Sequence, residues 1–192
     1  MEPRFLPPSP SAHRLSIAGI VVDAWTGQRL ADAEVSLAAG DVTQRTTRTA
    51  PDGAFHFADV SPGPYTLKAH LPHAGQRYGT KELRLKVPDA QRVAPVVVKL
   101  DLPPTSVSGR VVLEDRAARE LPPLARVGVQ GSEEQTFTDV KGDFLLTGLE
   151  PGKRTLRVTA PGYRPEPELY EVELEPGSDT VVGDVVLKPL GK

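Results

Sequence analysis

The chain has 192 residues, a net charge of −2, 39% apolar and 25% charged residues, and no cysteine. That composition belongs to a globular protein with room for one ordinary domain or two small ones. It excludes disulfides, thiolate metal sites, cysteine nucleophiles and the basic field that attracts nucleic acid. The 20 prolines and 17 glycines suit many short strands joined by turns. No apolar run approaches the roughly 18–20 residues of a membrane-spanning helix, so no membrane insertion is expected.

Residues 1–14 form an arm. Pro3, Pro7, Pro8 and Pro10 surround only two large apolar residues, Phe5 and Leu6, too few for a core, so the arm is expected to be extended. Phe5 and Leu6 are its candidate docking residues for another subunit. The arm lacks the apolar segment of a secretory signal. Cytoplasmic synthesis without a signal peptide is therefore expected, or the cell surface if a leader was removed.

Strands are predicted near 15–23, 33–39, 44–49, 54–58, 64–71, 79–87 and 93–101. A second series follows near 105–113, 125–130, 134–139, 143–147, 154–160, 168–175 and 181–188. Apolar and polar residues alternate in Leu83-Arg84-Leu85-Lys86-Val87 and in Tyr170-Glu171-Val172-Glu173-Leu174, the pattern of strands with one buried face.

The two series are copies. Gly53, Phe55, Val60, Pro62, Gly63 and Leu67 recur as Gly142, Phe144, Leu149, Pro151, Gly152 and Leu156 at an offset of 89 residues, and Val96-Val97-Val98-Lys99 recurs as Val185-Val186-Leu187-Lys188. A period this long exceeds the roughly 20–50 residues of a solenoid repeat, so each copy should own a core. The expected division is an arm over 1–14 and sandwiches over 15–102 and 103–192. The short Leu102-Pro103-Pro104 linker restrains their relative swing. Asp52-Gly53 is read as a tight hairpin turn between the third and fourth strands, and Pro62-Gly63 as the next turn. Phe55 and Phe57 should then point together into the core.

The stretch Ile17-Ala18-Gly19-Ile20-Val21-Val22-Asp23-Ala24-Trp25-Thr26-Gly27-Gln28-Arg29-Leu30 resembles the opening of a carboxypeptidase regulatory-like domain. The D-G-x-F turn and the P-G-x-Y-x-L strand continue the resemblance. The second copy is similar through Val107-Ser108-Gly109-Arg110-Val111-Val112, Gly142-Asp143-Phe144, Glu150-Pro151-Gly152 and Ala160-Pro161-Gly162-Tyr163. It departs over 114–123, where the T-G loop is replaced.

The resemblance implies an all-β chain of two tandem seven-stranded, transthyretin-like Greek-key sandwiches. It also implies no catalytic apparatus, since such modules are appended to receptors, adhesins, carbohydrate-active enzymes and large assemblies. The expectation is a non-enzymatic structural or protein-binding module without cofactor. It would be an accessory subunit of a larger assembly, such as a phage-tail-like contractile particle. The alternative is a carbohydrate-binding or cell-surface adhesion module.

The residues themselves offer little chemistry. His70 and His73 lie close in sequence, but zinc needs three or four ligands, and both read as loop histidines. Glu133, Glu134, Asp139, Asp143, Glu166 and Glu168 lack a calcium-loop spacing and read as solvated charge. No serine lies in a nucleophile elbow. Exposed aromatics are the stronger binding candidates: Trp25 in the loop after the first strand, and Tyr78 and Tyr163 after the fifth strand of each copy. Such residues anchor interfaces and stack on sugars. For Trp25, the competing expectation is that it caps its own core.

Overall fold

The computed structural model describes residues 13–89, 94–114 and 124–190, and their regular elements are all β-strands. The first copy contains β1 (Leu15–Asp23), β2 (Glu34–Ala39), β3 (Val42–Arg48), β4 (Ala54–Ala58), β5 (Gly63–His70), β6 (Lys81–Val87) and β7 (Val96–Leu102). The second contains β8 (Ser106–Leu113), β9 (Arg126–Val129), β10 (Gln135–Phe137), β11 (Asp143–Thr147), β12 (Gly152–Thr159), β13 (Tyr163–Glu166), β14 (Leu169–Leu174) and β15 (Asp179–Pro189).

Each copy is a pair of sheets. The first packs β4-β1-β7 against β3-β2-β5-β6, and the second packs β11-β8-β15-β13 against β10-β9-β12-β14. First and last strands of each copy run parallel (β1 with β7, β8 with β15), while the other pairings are antiparallel. A parallel pair cannot be joined by a hairpin, so the chain must change sheets between its ends.

The alternation of the sequence becomes burial. In β5, Tyr65, Leu67 and Ala69 are buried while Pro64 and Lys68 are exposed. Phe55 and Phe57 both enter the first core, edge to face with centroids 6.1 Å apart. Fully burying side chains of this size contributes about 2–3 kcal/mol each. Phe55 needs a gap: its register partner on β1 is Gly19, where an added Cβ would lie 2.6 Å from the ring. Gly109 opposite Phe144 repeats the arrangement, with 2.8 Å to the ring. The duplicated glycine and the duplicated phenylalanine are therefore two halves of one packing device.

Among the described residues, no core cluster spans the two copies. Fifteen buried residues of the first form a single cluster. Those of the second form two, one around Phe144 and Val127, the other around Leu149 and Leu156, with Tyr170 and Val182 touching both. At the same offset, Phe57 and Tyr65 become Leu146 and Arg154. The smaller and the charged residue leave too little apolar volume to join the halves.

Two expectations need correction. The second copy has an eighth strand, β13, which pairs antiparallel with β15; it is four residues long and contains Pro165, so no periodicity announces it. The Asp52-Gly53 turn does not close a ladder, because β3 and β4 lie in different sheets. It is still a tight turn: Gly53 has φ +74°, its N–H bonds the Ala50 carbonyl, and Ala54 N–H returns to Asp52 Oδ1. A Cβ at Gly53 would sit 2.9 Å from the Val21 carbonyl oxygen. Turn chemistry fixes the bend but not the partner of the strand that follows it.

Candidate functional site

The richest polar constellation lies where the copies meet. Beyond β7 the chain passes through Pro103, Pro104 and Thr105, and the connection between β5 and β6 reaches across to meet it. Gly79 N–H donates to the Pro103 carbonyl (2.8 Å), and Thr105 N–H to the Arg77 carbonyl (2.8 Å). The Thr105 hydroxyl donates to the Gln76 carbonyl (3.2 Å) and accepts Gly177 N–H (2.8 Å). Leu149 N–H donates to the Thr105 carbonyl (3.0 Å), and Ser106 N–H to the Ser178 carbonyl (2.9 Å). Thr105 and Ser106 are both buried. This threonine ties three segments together with one side chain and its own peptide groups.

Gly79 and Gly177 touch through their backbones. A Cβ on Gly177, whose φ is +69°, would lie 2.4 Å from the Gly79 Cα. Only glycine lets the two chains approach this closely.

Arg77 closes the other side. Its Nη1 donates to Glu134 Oε1 (2.9 Å) and to the Gly148 carbonyl (2.7 Å), and its Nη2 to Glu150 Oε1 (3.1 Å). Glu150 is held in turn by Arg154 Nη2 at 3.2 Å. The hydrogen bond to Glu134 chiefly raises the Arg77 pKa, and the same bond holds the Glu134 carboxyl below its ordinary range. Isolated exposed ion pairs contribute about 0–1 kcal/mol. Here the guanidinium also meets a carbonyl and two carboxylates at once, all on the second copy.

Tyr78 and Trp25 converge on Asp23. The phenol donates to Asp23 Oδ2 (2.9 Å), and Asp23 Oδ1 accepts the N–H groups of Trp25 and Thr26 (2.8 Å each). Burial pushes the Asp23 carboxyl up, but the backbone N–H of Thr26 and of Trp25 and the Tyr78 hydroxyl together hold it below the usual range. Burial, with Asp23 beside it, pushes Tyr78 up to about 12. The D-x-x-T-G stretch is thus a carboxylate-capped turn.

Of the sequence candidates, the structure brings Trp25 and Tyr78 to one carboxylate. Trp25 is 54% exposed and does not cap the core, whereas the half-buried Tyr78 packs on the first core. Tyr163 is half-buried against the second core. Phe5, Leu6 and the replaced loop over 115–123 lie outside the described residues.

Four of the six acidic candidates have partners. Glu134 holds Arg77, Asp143 pairs with Arg110 at 2.5 Å, Asp139 Oδ1 caps its own turn, and Glu166 pairs with Lys188. His73 lies 3.1 Å from Arg48 Nη1. Among the described residues, no three His, Asp or Glu side chains group to hold a metal, and no helix is long and apolar enough to cross a membrane.

Arg77, Thr105 and Asp23 were not singled out by sequence. Arg77 has Glu166 as its counterpart at the 89-residue offset, but charge also reverses at Arg45, Asp52, Arg84 and Lys86, so nothing in the sequence marks it.

Residues 16–100 and 106–188 each match the family model of the carboxypeptidase regulatory-like domain. No curated protein matches the chain. Among solved structures, the Bacillus anthracis TIE protein is 17% identical with a TM-score of 0.41, covering 90% of this chain and 34% of that one. The shaft pilin SpaA from Lactobacillus rhamnosus GG is 16% identical with a TM-score of 0.39, covering 94% and 99%. A type II cohesin–X-dockerin complex from Acetivibrio cellulolyticus is 18% identical with a TM-score of 0.36, covering 44% and 58%. The chain thus spans less than two thirds of the TIE protein and of the cohesin–X-dockerin chain.

Proposed function

We propose, from the premise that the chain belongs to the carboxypeptidase regulatory-like domain family in two tandem copies, that it is a non-enzymatic structural and protein-binding module of a larger assembly. The observation that carries this reading is the joint. Two sandwiches with separate cores are locked at a fixed angle by Thr105, by the Gly79–Gly177 contact and by Arg77 between Glu134 and Glu150. A spacer that sets the geometry of its neighbours needs this stiffness, whereas a tether needs none. The acidic side chains at the joint are committed to caps and ion pairs, which favours scaffolding over proton transfer.

In its finer form the module is an accessory subunit of a phage-tail-like contractile particle, a reading that draws on the association of such domains with large assemblies. Purification of the untagged protein from its native cell, followed by sizing, tests both forms. Co-fractionation at megadalton size with tail-like components is expected. A companion-free monomer overturns the assembly reading, and a complex of other composition overturns the finer one alone.

A carbohydrate-binding or adhesion role is the second reading, favoured by the exposure of Trp25. It requires glycan binding by the isolated protein that is lost in Trp25→Ala.

A further inference from the structure

The sheets β3-β2-β5-β6 and β10-β9-β12-β14 are equivalent, but their outward faces are charged differently. On the first, two cations meet carboxylates across the ladder. Arg48 stands opposite Glu34 with 3.9 Å between the charged atoms, and Lys68 opposite Glu82 with 3.4 Å. The register sets Arg126 and Phe137 where the first copy has Glu34 and Arg48, and Arg157 and Leu169 where it has Lys68 and Glu82. Both carboxylates are gone. Among the described residues, neither Arg126 nor Arg157 has an ion pair or a side-chain hydrogen bond. Phe137 is 57% exposed and Leu169 40%.

The two arginines border a cleft of about 230 Å³, lined also by Gly128, Gln135 and Thr159. Gly128 is its floor, opposite Arg157 on one side and Gln135 on the other. Packing does not demand glycine there. Its φ is not positive, and an added Cβ would meet nothing closer than 3.4 Å. The missing side chain leaves the cleft open. Glu134 also borders it, but that carboxylate is taken by Arg77.

We propose that this face docks an acidic segment of a partner protein, with an Asp or Glu carboxylate held between Arg126 and Arg157 and apolar neighbours covering Phe137 and Leu169. The proposal rests on the protein-binding reading and names its surface and its chemistry.

Charge and size select the occupant. Two guanidinium groups without counter-ions favour a carboxylate, which a guanidinium fork can hold through two parallel hydrogen bonds. Gln135 and Thr159 add donors for oxygens left over. The cleft is smaller than the roughly 300–1,000 Å³ of a small-molecule pocket, so it takes a side chain and not a whole ligand. Its apolar flanks decide between a protein and a glycan. Arginine and aromatic residues concentrate at the centres of protein interfaces, where burying the aromatic supplies much of the affinity.

The test is a titration of the purified full chain with a synthetic peptide of alternating glutamate and leucine, followed through the arginine Nε–H signals in nuclear magnetic resonance. Those of Arg126 and Arg157 should move, and that of Arg77 should not. A glutamate–serine peptide should bind more weakly, and a lysine–leucine peptide not at all. Grafting the first copy's pairs, Arg126→Glu with Phe137→Arg and Arg157→Lys with Leu169→Glu, builds a surface this fold already carries. It should weaken binding at least about tenfold with thermal unfolding unchanged. Gly128→Leu, which fills the cleft and keeps both arginines, should also weaken it. Equal binding by the grafted chain, or shifts spread over all arginines, overturns the proposal. So does tighter binding of a glucuronate oligomer, which would assign the face to an acidic glycan. Signals that move with protein concentration alone would assign it to a second copy and overturn it too. Because the titration uses the isolated chain, its failure leaves the assembly reading to be decided by sizing.

Discussion

Residues 71–80 and 160–168 occupy the same place in the two copies, between the strand pairs β5–β6 and β12–β14, and they do opposite things. The second folds back on its own sandwich: Tyr163–Glu166 joins β15, and Glu166 pairs with Lys188. The first abandons its own sheet edge and reaches the neighbouring sandwich, with Arg77 between Glu134 and Glu150 and Gly79 against Gly177. One connection closes a domain, while the other joins two. A duplicated scaffold thus gains an interface by redirecting one loop.

The largest effect should come from Gly177→Val. The branched side chain meets backbone at 2.4–2.6 Å and must hold a left-handed φ, costing about 3 kcal/mol or more. Denaturant unfolding should show the loss, and small-angle scattering should show the two sandwiches released from their fixed angle.

Arg77→Glu installs the second copy's residue in the first. It places a third carboxylate beside Glu134 and Glu150, so the joint should lose about 1–3 kcal/mol, more than Arg77→Ala. Glu166→Arg, the reciprocal change, faces Lys188 at an exposed edge. It should fray β13 in amide exchange while leaving the angle between the sandwiches unchanged. Equal scattering for wild type and Arg77→Glu would show that the guanidinium does not hold the joint.

Acid should loosen the joint next. Glu134 is held below its ordinary value of 4.5 and Asp23 below 3.8. Each depressed carboxyl contributes stability that is present above its unfolded pKa and lost as pH falls through its folded one. The joint should therefore weaken as pH drops below about 4.5, and Glu134→Gln should remove part of that dependence. The smallest signal is alkaline. The raised Tyr78 contributes stability that is intact below pH 10 and lost as pH rises toward about 12. Absorbance titration should show a late phenol that disappears in Tyr78→Phe.

The sequence by itself determined the duplication, the all-β class and the strands with a strict period of two, because alternation needs only local geometry to separate a buried face from a wet one. It also marked both glycine–phenylalanine pairs, though as separate repeats and not as contacts. What it left open were choices of partner. The Asp52-Gly53 turn bends the chain equally well within a sheet or between sheets. Tyr163–Glu166 is a strand only because β15 offers an edge, and Arg77 is an unremarked loop residue until the second sandwich brings Glu134 and Glu150 to it. Those outcomes depend on residues dozens of positions apart meeting in space, which the tertiary structure decides.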